Sequence, residues 1–352
     1  MSPAPGGNGA GGRAKRPTMV DVAREAGVAL RTVSRVVNDD PTVGPEYVAK
    51  VQAAIAALNF RPDERARQLR TGVTGTIGAA VRRIAEVNPA LAAIEQTARA
   101  SRLTLLASST DFDASRERDI LVSMCRQRLD GIIVEPFAEN HAYLEPEIEA
   151  GMPMVAMDRP MSGVAVDCVM SDNASGIGMA FHHLHQHGHR RIAYIGDSEQ
   201  VFSGRERAAA FRAALVAHGQ PVAGLVHPGD ITADRVAASL DTALGGPDPA
   251  TALVTGNMDS TIAVLRRLGP QAASRLAIVG FDEVPLADLL QPALTVVAQD
   301  TANIGRTAVE LLRARIADPS RPVQYVVVPV SLTVRGSGEV PAPGRFSQVT
   351  GS

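Results

Sequence analysis

The chain reads as two kinds of protein in series: a small all-helical head, then an α/β body large enough for two doubly wound units. Three observations predict this. Apolar residues recur at helical spacing in residues 18–60,. From residue 76 strand-like runs alternate with helical stretches, the pattern of parallel α/β folds,. And 352 residues with 45% hydrophobic and 20% charged side chains exceed one ordinary core at a normal globular balance,.

In the head, Met19, Val22 and Ala23 share a helical face. Thr18 with Asp21 is a capping box that satisfies free amide donors at the helix start,. Gly27 ends this helix, and Val33, Val36 and Val37 begin a second apolar face from about Leu30 to Asn38. After DDPTVGP, Pro45 suits the first position of a third helix carrying Val48, Val51, Ile55 and Leu58,. RPDERARQLRTG follows, a stretch of about seven helical residues between Pro62 and Gly72, too short to stand alone in water,. Residues 1–17 are Gly/Pro/Ala-rich and basic and read as a disordered arm,. The strand-like runs of the body are TIGAAV, LTLLA, GIIVE, MVAM, VDCVM, RIAYIG, ALVT, LAIVGF and TVVA.

Charge is divided between the two parts. Residues 1–75 hold 11 Lys/Arg against 7 Asp/Glu, and residues 76–352 hold 24 against 30. A basic head on an acidic body points the head alone at polyanions. No apolar run spans a membrane and no secretory signal opens the chain,. Cys125 and Cys168 cannot make a disulfide framework and fit buried free thiols, so the chain is expected in a reducing cytoplasm,. No phosphate-binding loop, dinucleotide fingerprint or nucleophile elbow occurs, so no enzyme is indicated,. The histidines of HHLHQHGH include an i, i+4 pair, His185 and His189. Gly188 lies between them and neither a Cys nor an acidic residue lies near, so no metal site and no cofactor is expected,.

The segment TMVDVAREAGVALRTVSRVVN is a helix-turn-helix whose second helix is rich in Arg, Thr and Ser, suited to the major groove,. With VGPEYVAKVQAAIAALNFRPDERARQLRTG it closely resembles the headpiece of the lactose-repressor (LacI/GalR) family of bacterial transcription regulators. DGIIV, MPMVAMDRP, SDNASGIG, HGHRRIAYIG, RAAAFRAAL, TALVTGN, IVGFDEVPLADLLQPALTVVAQD and SLTVRGS extend the resemblance along the body. It implies a headpiece at 18–60, a hinge helix at 61–75 and an effector-binding, dimerising core at 76–338, with a flexible tail at 339–352. The core would resemble periplasmic sugar-binding proteins. Its N-subdomain would cover about 76–171 and 299–328, and its C-subdomain about 172–298 and 329–338. The implied partners are a second copy, a pseudo-palindromic operator in double-stranded DNA, and a small effector in the cleft.

By the same resemblance Leu30 and Arg31 read bases, Arg31 by its fork on guanine. Thr32, Ser34, Arg35, Asn38 and Thr42 complete the DNA set, with Leu69 as a minor-groove wedge. Ala29 stands where the family usually has a capping Ser. Asp158, Arg207, Asn257 and Asp282 match effector positions at strand ends. The aromatic platforms usual in the family are replaced by Met170, Ile231 and Thr301. Arg82 matches a further cleft position and with Arg207 suggests a clamp for a sugar acid or sugar phosphate over a neutral sugar. The alternative is that Arg82 pairs with Asp158 or Asp282. A solute-binding protein and an α/β enzyme with a helical appendage are the competing readings. The head opposes the first, and the missing catalytic motifs oppose the second.

Overall fold

The computed structural model describes residues 17–61, 73–84, 88–269 and 272–342. Most of the basic arm, most of the 61–75 hinge including Leu69, and residues 343–352 of the tail lie outside the described residues. The chain divides into two units, residues 1–74 and 75–352.

The first unit contains α1 (Met19–Ala26), α2 (Leu30–Val37) and α3 (Pro45–Ala57). Thr18 caps α1: Asp21 N donates to its hydroxyl, and Thr18 N donates to the Asp21 carboxylate at 2.9 Å. Gly27 takes φ 65°, a left-handed conformation open to glycine, and lets the chain turn sharply into α2,. Ala29 occupies the N-cap of α2 with no side-chain hydrogen bond. Val22, Val33, Val36, Val51, Ala54 and Phe60 form one small core.

The second unit holds two six-stranded sheets. The first takes β1 (Thr76–Val81), β2 (Thr104–Ser109), β3 (Gly131–Val134), β4 (Met154–Met157), β5 (Asp167–Ser171) and β11 (Tyr325–Val328), in spatial order β11-β5-β4-β3-β1-β2 and parallel throughout. The second takes β6 (Ile192–Gly196), β7 (Val226–Pro228), β8 (Ala252–Thr255), β9 (Ala277–Phe281), β10 (Thr295–Gln299) and β12 (Val330–Thr333), in order β12-β10-β9-β8-β6-β7. Here only β12, on β10, runs antiparallel.

Helices α4 (Pro89–Ala100), α5 (Ala114–Arg126), α6 (Glu145–Glu149) and α12 (Thr301–Ala317) belong with the first sheet. Helices α7 (Asn173–Gln186), α8 (Phe202–Ala217), α9 (Ala233–Leu244), α10 (Met258–Leu268) and α11 (Ala272–Arg275) belong with the second. Strand alternation sorts β1 between two cores: Ile77, Ala79 and Val81 pack with Ile94 and Leu312, while Ala80 packs with Leu121 and Met124,. Gly78 keeps this second face close, because a Cβ there would stand 2.8 Å from Met124 Sδ.

Each sheet reverses its order once, between β1 and β3 and between β6 and β8. Such switch points leave a crevice at the carboxyl ends of strands. The chain passes between the sheets after β5, after β10 and between β11 and β12. Ser171 and Gln299, at two of these crossings, are hydrogen-bonded side chain to side chain.

One boundary differs from the sequence reading. Glu339 and Val340, assigned to a flexible tail, are held on the second sheet's layer. Glu339 binds His183 and the Thr295 hydroxyl, and His189 reaches the Val340 carbonyl at 2.8 Å. The fastening side chains lie more than 40 positions away along the chain, so local composition could not show them.

Candidate functional site

Two sets of side chains stand ready for contact. On the first unit, Leu30 is 48% exposed and Arg31 is exposed beside it at the start of α2. An exposed leucine at a helix start costs solvation unless something covers it. Thr32 and Ser34 are half-buried, and Asn38 Nδ2 donates to the Ser34 carbonyl at the helix end. Arg35 and Thr42 are brought together: both bind Asp40, and the Arg35 guanidinium donates to the Thr42 hydroxyl.

On the second unit, Arg82 follows β1, Asp158 follows β4, Asn257 follows β8, and Asp282 follows β9. Arg207 lies on α8. Asp158 and Asp282 repeat one local design. Each takes positive φ, 72° and 75°, and each amide donates at 2.9 Å to the next strand, at Val169 and Val297. Both carboxylates stand just past the carboxyl ends of corresponding interior strands, the third in each sheet order.

Arg207 is buried and hydrogen-bonded through two of its three nitrogens. Its Nε donates to Asn173 Oδ1 and its Nη1 to the Gly256 carbonyl, both at 2.7 Å. Its guanidinium lies 3.7 Å from the Phe281 ring centroid and 3.8 Å from Asp282 Oδ2. The stacked ring and the carboxylate offset the cost of burying the charge. Asn257 combines two tasks. Its carbonyl oxygen caps α10 by accepting from Ser260 N at 2.7 Å, and its side chain also bonds Asp197. Asp282 accepts from Gln299 Nε2 on Oδ1 and, at 3.4 Å, from Met258 N on Oδ2. Gly196 ends β6 and Gly256 follows β8, and a Cβ at either would overlap the Tyr194 hydroxyl, too close for any side chain.

Arg82 takes the alternative pairing, with Asp158, and adds Glu135. Its Nε reaches Glu135 Oε1 at 2.5 Å, its backbone N–H donates to Glu135 Oε2, and Nη2 lies 3.5 Å from Asp158. Arg159 holds the same Asp158 oxygen at 2.9 Å. The Arg82 side chain therefore meets two carboxylates. Arg82 and Arg83 both lie over the Phe112 ring, at 5.7 and 4.8 Å from its centroid. Burial opposes the charge on Asp158, but Arg159, Arg82 and Arg207 together outweigh it and hold its carboxyl at about 2,. Asp197 goes the other way: burial raises it, against the pull of Arg207 and the Asn257 hydrogen bond.

The sequence reading missed Glu135, Arg159, Asp197, Asn173 and Gln299. Glu135 and Asp197 each directly follow a strand that borders a switch point, and that position was the available signal. The histidines have other work. His183 binds Glu339, His187 Nδ1 lies 2.8 Å from the His183 carbonyl, and His189 bridges Thr251 and Val340. Burial pushes the Cys125 thiol up to about 11 and the Cys168 thiol up to about 12, which suits packing and not nucleophilic chemistry,.

Residues 18–63 match the family described as bacterial regulatory proteins, lacI family, and residues 181–338 match the periplasmic binding protein-like domain. The chain is 32% identical over 331 residues to the HTH-type transcriptional regulator PtxS of Pseudomonas aeruginosa, covering 92% of this chain and 96% of that one.

The chain belongs to the LacI family.

The ribose operon repressor of Escherichia coli is 30% identical, with 91% of this chain and 99% of that one covered. Among solved structures, the lac repressor dimer bound to operator and the anti-inducer ONPF superposes with a TM-score of 0.79 at 24% identity, over 93% of this chain and all of that one. The CelR–cellobiose complex superposes with a TM-score of 0.64 at 29% identity, covering 92% of this chain and 100% of that one. As in the rest of the family, a helix-turn-helix head precedes a periplasmic-binding-protein-like core, and the chain is a DNA-binding transcriptional regulator. No described helix is long and apolar enough to cross a membrane.

Proposed function

We propose that this regulator is a cytoplasmic, non-enzymatic repressor. It binds a pseudo-palindromic operator as a homodimer and changes its operator affinity when a sugar-class effector enters the core. Leu30, Arg31, Thr32, Ser34, Arg35, Asn38 and Thr42 contact the DNA, with Leu69 as a central wedge. Arg82, Asp158, Arg207, Asn257 and Asp282 hold the effector. The observation that carries this reading is the convergence of charged groups from both sheet layers: Asp158 after β4 feels Arg207 on α8, Arg82 after β1 feels Asp282 after β9, and Gln299 joins Asp282 to Ser171. The cellobiose complex and the ribose repressor support a hydroxyl-rich ligand.

Ligand charge follows from pairing. Arg82, Arg159 and Arg207 are matched by Glu135, Asp158, Asp197 and Asp282. With every guanidinium compensated, the clamp suggested by Arg82 and Arg207 is already filled from within. The arrangement favours a neutral sugar over its acid or phosphate, because carboxylates accept from paired hydroxyls and repel an anion. Gln299 supplies the coupling: it binds Asp282 and also Ser171 at the crossing, so hydroxyls that compete for Asp282 alter the crossing strands.

Calorimetry with matched sugars and sugar acids, alongside DNA mobility shifts, tests the reading. The neutral member should bind more tightly. Glu135→Gln, which uncovers Arg82, should move preference toward the acid by about tenfold, or ~1.4 kcal/mol. Acid preference in the wild type, lost on Arg82→Ala, would restore the anionic alternative.

A further inference from the structure

An acidic side chain on the DNA-reading element needs an explanation, because it faces the repulsion of a polyanion. Asp40 lies just beyond α2, and its Oδ2 accepts from Arg35 Nε at 2.9 Å. Its Oδ1 accepts from Thr42 N at 2.9 Å and from the Thr42 hydroxyl at 2.5 Å. That hydroxyl in turn accepts from Arg35 Nη2. The three side chains form a closed clasp held by two Arg35 donors and the Thr42 hydroxyl and amide. The backbone supports it: Asp39 takes φ 53°, and Asp40 N donates to the Arg35 carbonyl at 3.0 Å. Hydrogen bonds from Arg35 and Thr42 hold the Asp40 carboxyl well below the usual carboxylate range, so the clasp stays charged at any working pH.

The clasp consumes the Nε–H and one Nη2–H of Arg35. A guanidinium has five N–H donors. Of the three that remain, one on Nη1 and one on Nη2 share the outer edge, the parallel pair that fits guanine O6 and N7. An unclasped arginine would have a choice of phosphates and would lose rotamer freedom on binding. A clasped one has lost that freedom beforehand and is offered in one direction.

We propose that Asp40, braced by Thr42, is a positioning residue that makes Arg35 a base reader and keeps it off the phosphates, so that specificity is gained at the expense of general affinity. This rests on the reading that α2 enters the major groove. It also changes the part given to Thr42, whose hydroxyl serves Arg35 and Asp40 and is not offered to DNA.

The test uses the full-length protein, a duplex selected by the wild type from a randomised pool, and the unselected pool as non-specific DNA. Asp40→Asn should bind the selected duplex about tenfold more weakly and the unselected pool as tightly as the wild type or about threefold more tightly. The slope of log affinity against log salt on the selected duplex should steepen by about 1 as Arg35 moves to a phosphate. Thr42→Val, which removes the brace and keeps both charges, should lose specificity in the same direction. A headpiece that merely unfolds would instead lose both affinities together, and that result overturns the proposal. So does an Asp40→Asn protein with unchanged or tighter binding to the selected duplex. Arg31→Ala separates the underlying reading. If it weakens selected binding while Asp40→Asn does not, the clasp alone is wrong. If neither matters, α2 is not the reading helix and the clasp falls with it.

Discussion

The DNA-binding head and the effector core carry the side chains proposed for contact in opposite ways. In the head, Leu30 and Arg31 are exposed, and the small core beneath them is made of other residues, Val22, Val33 and Val51 among them. In the core, Arg207 and Arg159 are buried, and Asp158 and Asp282 are half-buried among charged partners. The difference follows from the ligands. DNA is a surface, and an exposed side chain meets it without leaving the protein's own packing. A small molecule must be surrounded, so the groups that bind it are desolvated beforehand and need partners to remain charged. Function and stability should separate in the head and coincide in the core.

The strongest way to break this contrast is Arg207→Ala. It leaves Asp282 without its nearest cation and takes the donor from Asn173 Oδ1 and the Gly256 carbonyl. Removing one member of such a buried set should cost roughly 3–5 kcal/mol in chemical denaturation of the full-length protein. A loss below about 1 kcal/mol, the scale of surface substitutions, would erase the distinction.

Arg31→Ala addresses the other side. Operator affinity should fall by roughly 1–3 kcal/mol, with relaxed preference at one base pair per half-site. Stability should stay within about 0.5 kcal/mol. Equal weakening on operator and random DNA would make Arg31 a phosphate contact.

Acid titration sharpens the comparison further. The Asp158 carboxyl is held at about 2 against an ordinary 3.8, so the fold favours its ionised form. That contribution is fully present above about pH 4 and is lost as pH falls toward about 2,. Its size is on the order of 2 kcal/mol. Asp158→Asn should flatten this acid limb, which denaturation midpoints against pH would show. Asp197, raised by burial, has the reverse sign. Its contribution is present below the unfolded value and declines as pH rises through the folded one.

The smallest effect belongs to the head. Ala29→Ser supplies the missing side-chain cap on α2 and should stabilise that unit by about 1 kcal/mol,. Amide exchange in α2 would report it without disturbing the core. Slower exchange there with unchanged effector binding is the expected outcome. Unchanged exchange would mean that the Ala29 backbone does not allow the serine to cap.

Whatever depends on near neighbours is legible along the chain. Capping by Thr18 with Asp21, the turn at Gly27 and the switch of apolar period near residue 76 are local events, set by the next three or four residues. The ends of strands were visible for the same reason, and with the family resemblance they pointed to Asp158 and Asp282. What the tertiary structure decided is which charges meet. Arg82 finds Glu135 across 53 positions, Arg207 finds Asn173 across 34, and Ser171 finds Gln299 across 128. No period or spacing encodes such pairs, because sheet order brings β1 beside β3 and the crossing strands together only after folding. As isolated cations, Arg82 and Arg207 suggest a clamp. Their carboxylate partners, supplied by distant strands, turn it into a compensated site, and that compensation is a property of the folded chain alone.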